Sequence, residues 1–147
     1  CRVAILRAPG IYAADRLPLE RVRKGLPVLH AAEDSWTNHI HAEDLARACV
    51  AALTRGGANR PYNASDDSDL RMGDWFDKLA DAFHLARPPR VSRGEAPKFL
   101  SAAMLSFMNE SRRLDNGRLK RELRFRFRYP TVDAGLAAAL EKTACSG

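Results

Sequence analysis

Apolar residues recur along much of this chain at a spacing near that of an α-helix, and only in short runs at the alternate spacing of a strand. The clearest helical stretch begins at Ala42. Leu45, Ala48, Cys49, Ala52 and Leu53 form one apolar stripe, stopped by Gly56-Gly57. A second stripe carries Met72, Trp75, Phe76, Leu79, Ala80 and Phe83, and Pro88-Pro89 breaks the chain after it. Pro97 to Met108 reads as a third helix, apolar on most sides. Asn116 is placed to cap a short helix bearing Leu119 and Leu123, and Thr131 to cap a last helix with the stripe Val132, Leu136 and Leu140. Pro18 to Lys24 reads as a short helix closed by Gly25. Strand signals are fewer. "RVAIL", Arg2 to Leu6, predicts a buried strand bounded by "RAPG". "LPVLHA" is a short extended piece, and "RPYNAS" a second strand followed by the polar turn "SDDSD". The sum is a helix-rich α/β piece with too few strands to build a sheet of normal size.

The 147 residues fit one domain, and 46% apolar content supplies a core. No apolar run is long enough for a membrane-spanning helix, and "CRVAILRAPG" has no extended apolar segment of a signal peptide. Cys1, Cys49 and Cys145 are an odd number at no metal-like spacing, which fits a reducing, cytoplasmic setting. Cys49 is expected as a small core residue.

The net charge of +6 is local: residues 112–128 hold eight basic and two acidic groups, and the rest of the chain cancels. Within it, "RLKRELRFRFRYP" interleaves arginine with aromatics. Extended, it puts Arg124, Arg126 and Arg128 on one face and Phe125, Phe127 and Tyr129 on the other. Phosphate contacts from the first face and base stacking on the second would suit a non-catalytic, nucleic-acid-binding interaction domain. In the competing reading the aromatics close a core while the arginine stems snorkel, and solvated basic surface is the commoner outcome of such runs.

"SWTNHIHAEDLARACVAAL" sets His39 and His41 two apart, with Asp44 following. On a strand the two imidazoles share a face about 7 Å apart, a spacing able to hold zinc with Asp44 as third ligand. The alternative is a strand running into a helix. His41 then takes the N-cap, and Asp44, three residues on, reaches back to the N-cap N–H and complements the helix dipole. No cysteine or further histidine lies within local reach, so the structural reading is preferred and no metal is expected.

Four stretches then fall in a familiar order: "VAILRAPGIYAADRLP", "NHIHAEDLARACVAAL", "RPYNASDDSDLRMGDWFDKLA", and "NGRLKRELRF" leading to "YPTVDAGLAAAL". Together they resemble the C-terminal, substrate-binding half of an extended short-chain dehydrogenase/reductase, the group that includes NAD-dependent sugar-nucleotide epimerases and dehydratases. The resemblance runs from Val3 to near Leu140. It implies a Rossmann-type α/β architecture of which this is the helix-rich portion, a cofactor that is NAD or NADP, and a small-molecule substrate. Leu6, Arg7, Ile11 and Tyr12 match the family's Leu-Arg-x-x-Asn-Val-Tyr-Gly, with Gly10 in place of the Asn and Ala13 in place of the Gly. By the same resemblance, the backbone of Pro9, Gly10 and Ile11 lies near the nicotinamide. "IHAED" matches the family's Ile-His-Val-Asp-Asp, a structural start of a helix. Thr37 stands where sugar-nucleotide enzymes often carry an Arg on the diphosphate, so a bidentate phosphate donor is missing. Arg16, Asn38 and Arg113 are the candidate substrate contacts, with Arg113 beside Arg112 at the expected rim of the cleft.

Two family elements are missing. No glycine pattern of the dinucleotide-binding kind occurs, and no Tyr has Lys four residues on: Arg16, Asp66 and Asp133 follow Tyr12, Tyr62 and Tyr129. No catalytic residue is therefore assigned. The base and the main cofactor site are expected outside this chain, in an N-terminal half holding the parallel sheet. The chain is expected to be a fragment with open strand edges, paired with that half or self-associated.

Overall fold

In chain order the strands of the computed structural model, which describes residues 2–145, are β1 (Ala4–Arg7), β2 (Gly10–Tyr12), β3 (Val28–Leu29), β4 (Trp36–Thr37), β5 (His39–His41), β6 (Arg60–Asn63), β7 (Leu70–Arg71) and β8 (Arg90–Val91). The helices are α1 (Leu19–Arg23), α2 (Ala42–Arg55), α3 (Met72–Ala82), α4 (Ala102–Met108), α5 (Gly117–Glu122) and α6 (Val132–Cys145). They form two compact units. The first takes residues 2–16, 38–68 and 114–145; the second takes Leu17–Thr37 and Asp69–Arg113. Neither is a continuous stretch of sequence.

In the first unit β1 pairs in parallel with β6, Ala4 opposite Arg60 through Arg7 opposite Asn63. β2 pairs in parallel with β5, Gly10 opposite His39 through Tyr12 opposite His41. Ala4 and Leu6 pack on a cluster of Ala48, Ala51, Tyr62, Leu119, Leu123 and Phe125. The expected buried strand is thus covered on one face only. It begins at Ala4 and alternates: Ile5 stays 44% exposed, with Val3 and Ile11 similarly open. Parallel strands are ordinarily buried on both faces.

α2 occupies the expected range, but its stripe is turned. Asp44, Ala48, Ala51 and Ala52 face inward, while Cys49 is exposed and Leu53 is 88% exposed. Asp44 is fully buried on hydrogen bonds described below, and that anchor fixes the phase of the helix. Cys49 is therefore not a core residue. Asn116 precedes α5 as expected, but its side chain makes no cap bond; it donates instead to the Ser65 and Asp66 carbonyls and to Asp67. Thr131 Oγ1 does accept from the Ala134 N–H, 3.4 Å away. The buried side of α6 is Val132, Gly135, Leu136 and Ala139, with Leu140 exposed.

In the second unit α1 ends as read, at Gly25 with φ +64°, where a side chain would be strained. β3 pairs in parallel with β8, and β4 antiparallel with β7. α3 buries Met72, Trp75, Phe76, Leu79 and Ala80, and leaves Phe83 half-buried. The expected helix from Pro97 to Met108 divides into a 3₁₀ turn, Ala96–Lys98, and α4. Ser101 causes the division: its hydroxyl accepts from the Met104 N–H at 3.3 Å and restarts the helix as an N-cap. Leu29, Ala96, Leu100 and Met108 make this unit's apolar cluster. Among the described residues no helix is long and apolar enough to cross a membrane.

Candidate functional site

β2 and β5 set the geometry of a buried polar centre in the first unit. Pairing Tyr12 with His41 brings both histidines edge-on to the Tyr12 ring, with centroids 6.3 Å (His39) and 5.3 Å (His41) away. The two imidazoles share a face, as a strand requires. His41 takes the N-cap of α2, and its Nδ1 accepts from the Glu43 N–H at 3.2 Å. Among the described residues no group of three metal-ligating side chains forms.

Asp44 does not reach back to the N-cap. Its Oδ1 accepts from the Arg128 N–H at 2.9 Å and from Arg47 at 2.6 Å, and its Oδ2 from the Tyr129 N–H at 2.8 Å. Two backbone donors of a buried segment would otherwise lack acceptors, and this outweighs the local N-terminal contact. The carboxylate therefore ties "RFRYP" onto α2. That segment alternates as read: Arg124, Arg126 and Arg128 are exposed, Phe125 and Tyr129 are buried, and Phe127 lies edge-on to Phe125 at 5.0 Å. Phe125 and Tyr129 are core, and Phe127 is half-buried against Phe125.

Asp66, which the sequence shows only as part of a polar turn, belongs to this centre. It is buried, its N–H donates to the His39 carbonyl at 2.8 Å, and its Oδ1 accepts from the Ser68 N–H at 2.9 Å. Its Oδ2 is buried with no hydrogen-bond partner. Burial pushes its carboxyl up to about 7, with Asp67 and Asp44 adding in the same direction. Burial also raises the Tyr12 phenol well above its ordinary range, helped by the negative charges of Asp66 and Asp44. Burial holds His39 down at about 4, so it is neutral at pH 7. Tyr12 Oη donates to the Thr131 carbonyl at 3.4 Å and rests against Gly135, where an added Cβ would run into the phenol. In this closed set Tyr12 and His39 are neutral at pH 7, while Asp66 changes charge close to it. Ala64 and Ser65, both buried, lead the chain into the turn, a burial that the sequence alone does not mark.

The structure brings Gly10, Ile11 and Asn38 together. The Gly10 N–H donates to the Asn38 carbonyl at 3.1 Å, and a Cβ on Gly10 would crowd that oxygen and His39 Nδ1, at 3.1 and 3.2 Å. The close approach that this glycine permits is to β5. Pro9 is half-buried and Ile11 exposed. Asn38 Oδ1 accepts from the Leu114 N–H at 2.9 Å. Arg16, in the same unit, ends a 3₁₀ turn and is exposed, 3.9 Å from Asp15. Arg113 belongs to the second unit, where it grips Asp69 through two nitrogens and lies over the Trp36 ring, 4.5 Å from its centroid. These residues do not by themselves make a dinucleotide site. Gly10 is used by strand pairing, and the start of α2 is occupied by its own His41 cap.

No family model and no curated protein matches the sequence. Solved structures do. A functionally unknown conserved protein from Silicibacter pomeroyi is 30% identical, with a TM-score of 0.81 over 93% of this chain and 48% of that one. A human epimerase family protein, solved with NADPH, is 15% identical with a TM-score of 0.76, covering 95% of this chain and 48% of that one. A UDP-glucose 4-epimerase from Thermotoga maritima, solved with UDP-glucose, is 16% identical with a TM-score of 0.69, covering 96% and 45%. The chain spans about half the length of these structures. It has the fold of the C-terminal half of the NAD-dependent epimerase and short-chain dehydrogenase/reductase structures, as the order of its sequence stretches implied.

Proposed function

We propose that this chain is the substrate-binding part of an NAD(P)-dependent oxidoreductase or epimerase-like enzyme, acting by hydride transfer at a hydroxyl or carbonyl carbon. The base and the main dinucleotide site are supplied by another stretch of polypeptide. The observation that supports this best is the one-sided cover of the parallel strands: Val3, Ile5 and Ile11 present an apolar face that a nucleotide-carrying layer would bury. The likeness to half of enzymes solved with NADPH or NAD agrees with it. In this reading the backbone of Pro9, Gly10 and Ile11 borders the nicotinamide, and Arg16, Asn38 and Arg113 serve the substrate. Thr37 in place of a phosphate-gripping Arg favours a substrate without a diphosphate.

The test is co-expression with a partner half bearing a Gly-rich βαβ unit and a Tyr-x-x-x-Lys pair, encoded directly upstream. The complex should shift the fluorescence of NADH or NADPH, and the chain alone should not. A flat titration with a folded, co-purifying complex overturns the reading.

A further inference from the structure

A groove of about 750 Å³ runs along the outer side of α2, against residues 124–126. Its charge is one-signed. Arg47, Arg55, Arg124 and Arg126 line it, against a single carboxylate, Glu43. Glu43 is already engaged, by the Arg128 guanidinium and by Tyr129 Oη at 3.1 Å. Arg47 is tied to Asp44, and Arg55 donates to the Leu123 carbonyl at 2.7 Å. Arg124 and Arg126 have no acidic partner among the described residues. Arg124 moreover sits at φ 48°, a left-handed conformation that is unfavourable for a non-glycine residue.

The floor is apolar. Ala46 and Val50 line it from α2, Val50 63% exposed, and Phe125 closes the base; Leu53, 88% exposed and outside the lining, continues the same side of the helix at i+3 from Val50.

We propose that this groove docks an acidic, amphipathic peptide segment of a partner protein, its carboxylates on the arginines and its apolar side chains on the Ala46–Val50–Leu53 line. Charge excess selects an acid, and the apolar line selects side chains over bare phosphates. Nucleic acid fits less well, because Phe125 and Tyr129 are buried and only Phe127 is partly open. A second copy docking through the same face would set guanidiniums against guanidiniums. The inference is independent of the enzymatic reading.

The probe is a fluorescein-labelled helical peptide with Glu and Leu on opposite faces and the length of α2, 14 residues. Controls are a Gln-for-Glu version, a Ser-for-Leu version and an oligo-dT of similar length, all read by anisotropy. The Glu/Leu peptide should bind, and both peptide controls and oligo-dT should bind about tenfold more weakly or worse. The exposed pair Arg124→Glu with Arg126→Glu, checked for an unchanged circular dichroism spectrum, should lose about tenfold in affinity, and raised salt should weaken the wild type. Val50→Ser with Leu53→Ser, which leaves every charge in place, should weaken it as well. No binding at low salt, equal binding of the Ser-for-Leu peptide or of oligo-dT, or full affinity in either folded double variant overturns the proposal.

Discussion

The two units bury their acids differently. In the second, Asp34 has both oxygens satisfied: Oδ1 by the Ser35 N–H at 2.9 Å and Oδ2 by the Gly73 N–H at 2.6 Å. In the first, Asp44 accepts from three donors, but Asp66 accepts from one and leaves its other oxygen bare. Burial raises both Asp34 and Asp66, yet only Asp66 is carried to about 7. Burial is the largest cause at both; hydrogen bonds from Gly73 and Ser35 oppose it at Asp34, and from Ser68 at Asp66. Asp34 in the second unit and Asp44 in the first, each with both oxygens bonded, serve as structural cement, whereas Asp66 changes charge near neutrality.

Asp44→Ala tests the cement most severely. It strips acceptors from the Arg128 and Tyr129 N–H groups and leaves Arg47 without its partner, a loss on the order of 3 kcal/mol in urea unfolding. An unchanged midpoint would mean that "RFRYP" is held by its aromatics alone. Gly135→Ala comes next. Its methyl would enter the space of the Tyr12 phenol, so about 2 kcal/mol should be lost although alanine favours a helix. A fully stable variant would show that the packing around Tyr12 is loose.

Asparagine substitutions separate the two acids directly. Asp66 binds its proton more tightly folded than unfolded, about 7 against 3.8. The stability this contributes is complete below about pH 4 and is lost as pH rises through about 7. His39 runs the other way: its value of about 4, against 6.5 unfolded, gives stability that is present above about 6.5 and lost as pH falls through about 4. Between those limits the two slopes oppose each other in the wild type. Asp66→Asn should expose the His39 slope and stabilise the protein at about pH 8, by on the order of 2 kcal/mol. Asp34→Asn should destabilise at the same pH, by about 1 kcal/mol, because its amide cannot accept from both Ser35 and Gly73. Melting temperatures across this range decide it. A common sign for the two variants would abolish the distinction between the units.

What the sequence shows of all this follows the distance over which each feature is decided. Gly25, Gly56, the cap at Thr131 and the face of α3 depend on residues within a few positions, and each is where the pattern predicts. The phase of α2 is set by Arg128 and Tyr129, more than 80 residues beyond Asp44, so a stripe counted from Leu45 is turned. Asp66 looks like turn chemistry until His39 and Asn116 are folded around it. Gly10 and Asn38 are each singled out by the order of the stretches, but their hydrogen bond depends on the pairing of β2 with β5, and Arg113 gives no sign of its Asp69 and Trp36 contacts. Charge alternation in residues 124–129 reads correctly, but which face is core depends on Ala48, Leu119 and Leu123.

The smallest effect concerns how two helices of the second unit end. α1 closes on Gly25 at φ +64°, whereas α3 closes on His84 at φ 53°. The His84 N–H reaches the Asp81 carbonyl at 3.3 Å and the Leu85 N–H reaches Ala80 at 2.8 Å, so the turn after α3 is a left-handed one in which glycine costs least. His84 is exposed, and the backbone makes the bonds. His84→Gly removes the clash of Cβ with the following carbonyl, but it also frees the unfolded chain, and the two effects partly cancel. The expected gain is about 0.5 kcal/mol in urea unfolding, with Gly25→Ala losing about 1 kcal/mol as the reciprocal change in the same unit. A loss in His84→Gly would mean that the imidazole, and not the backbone, holds the end of α3.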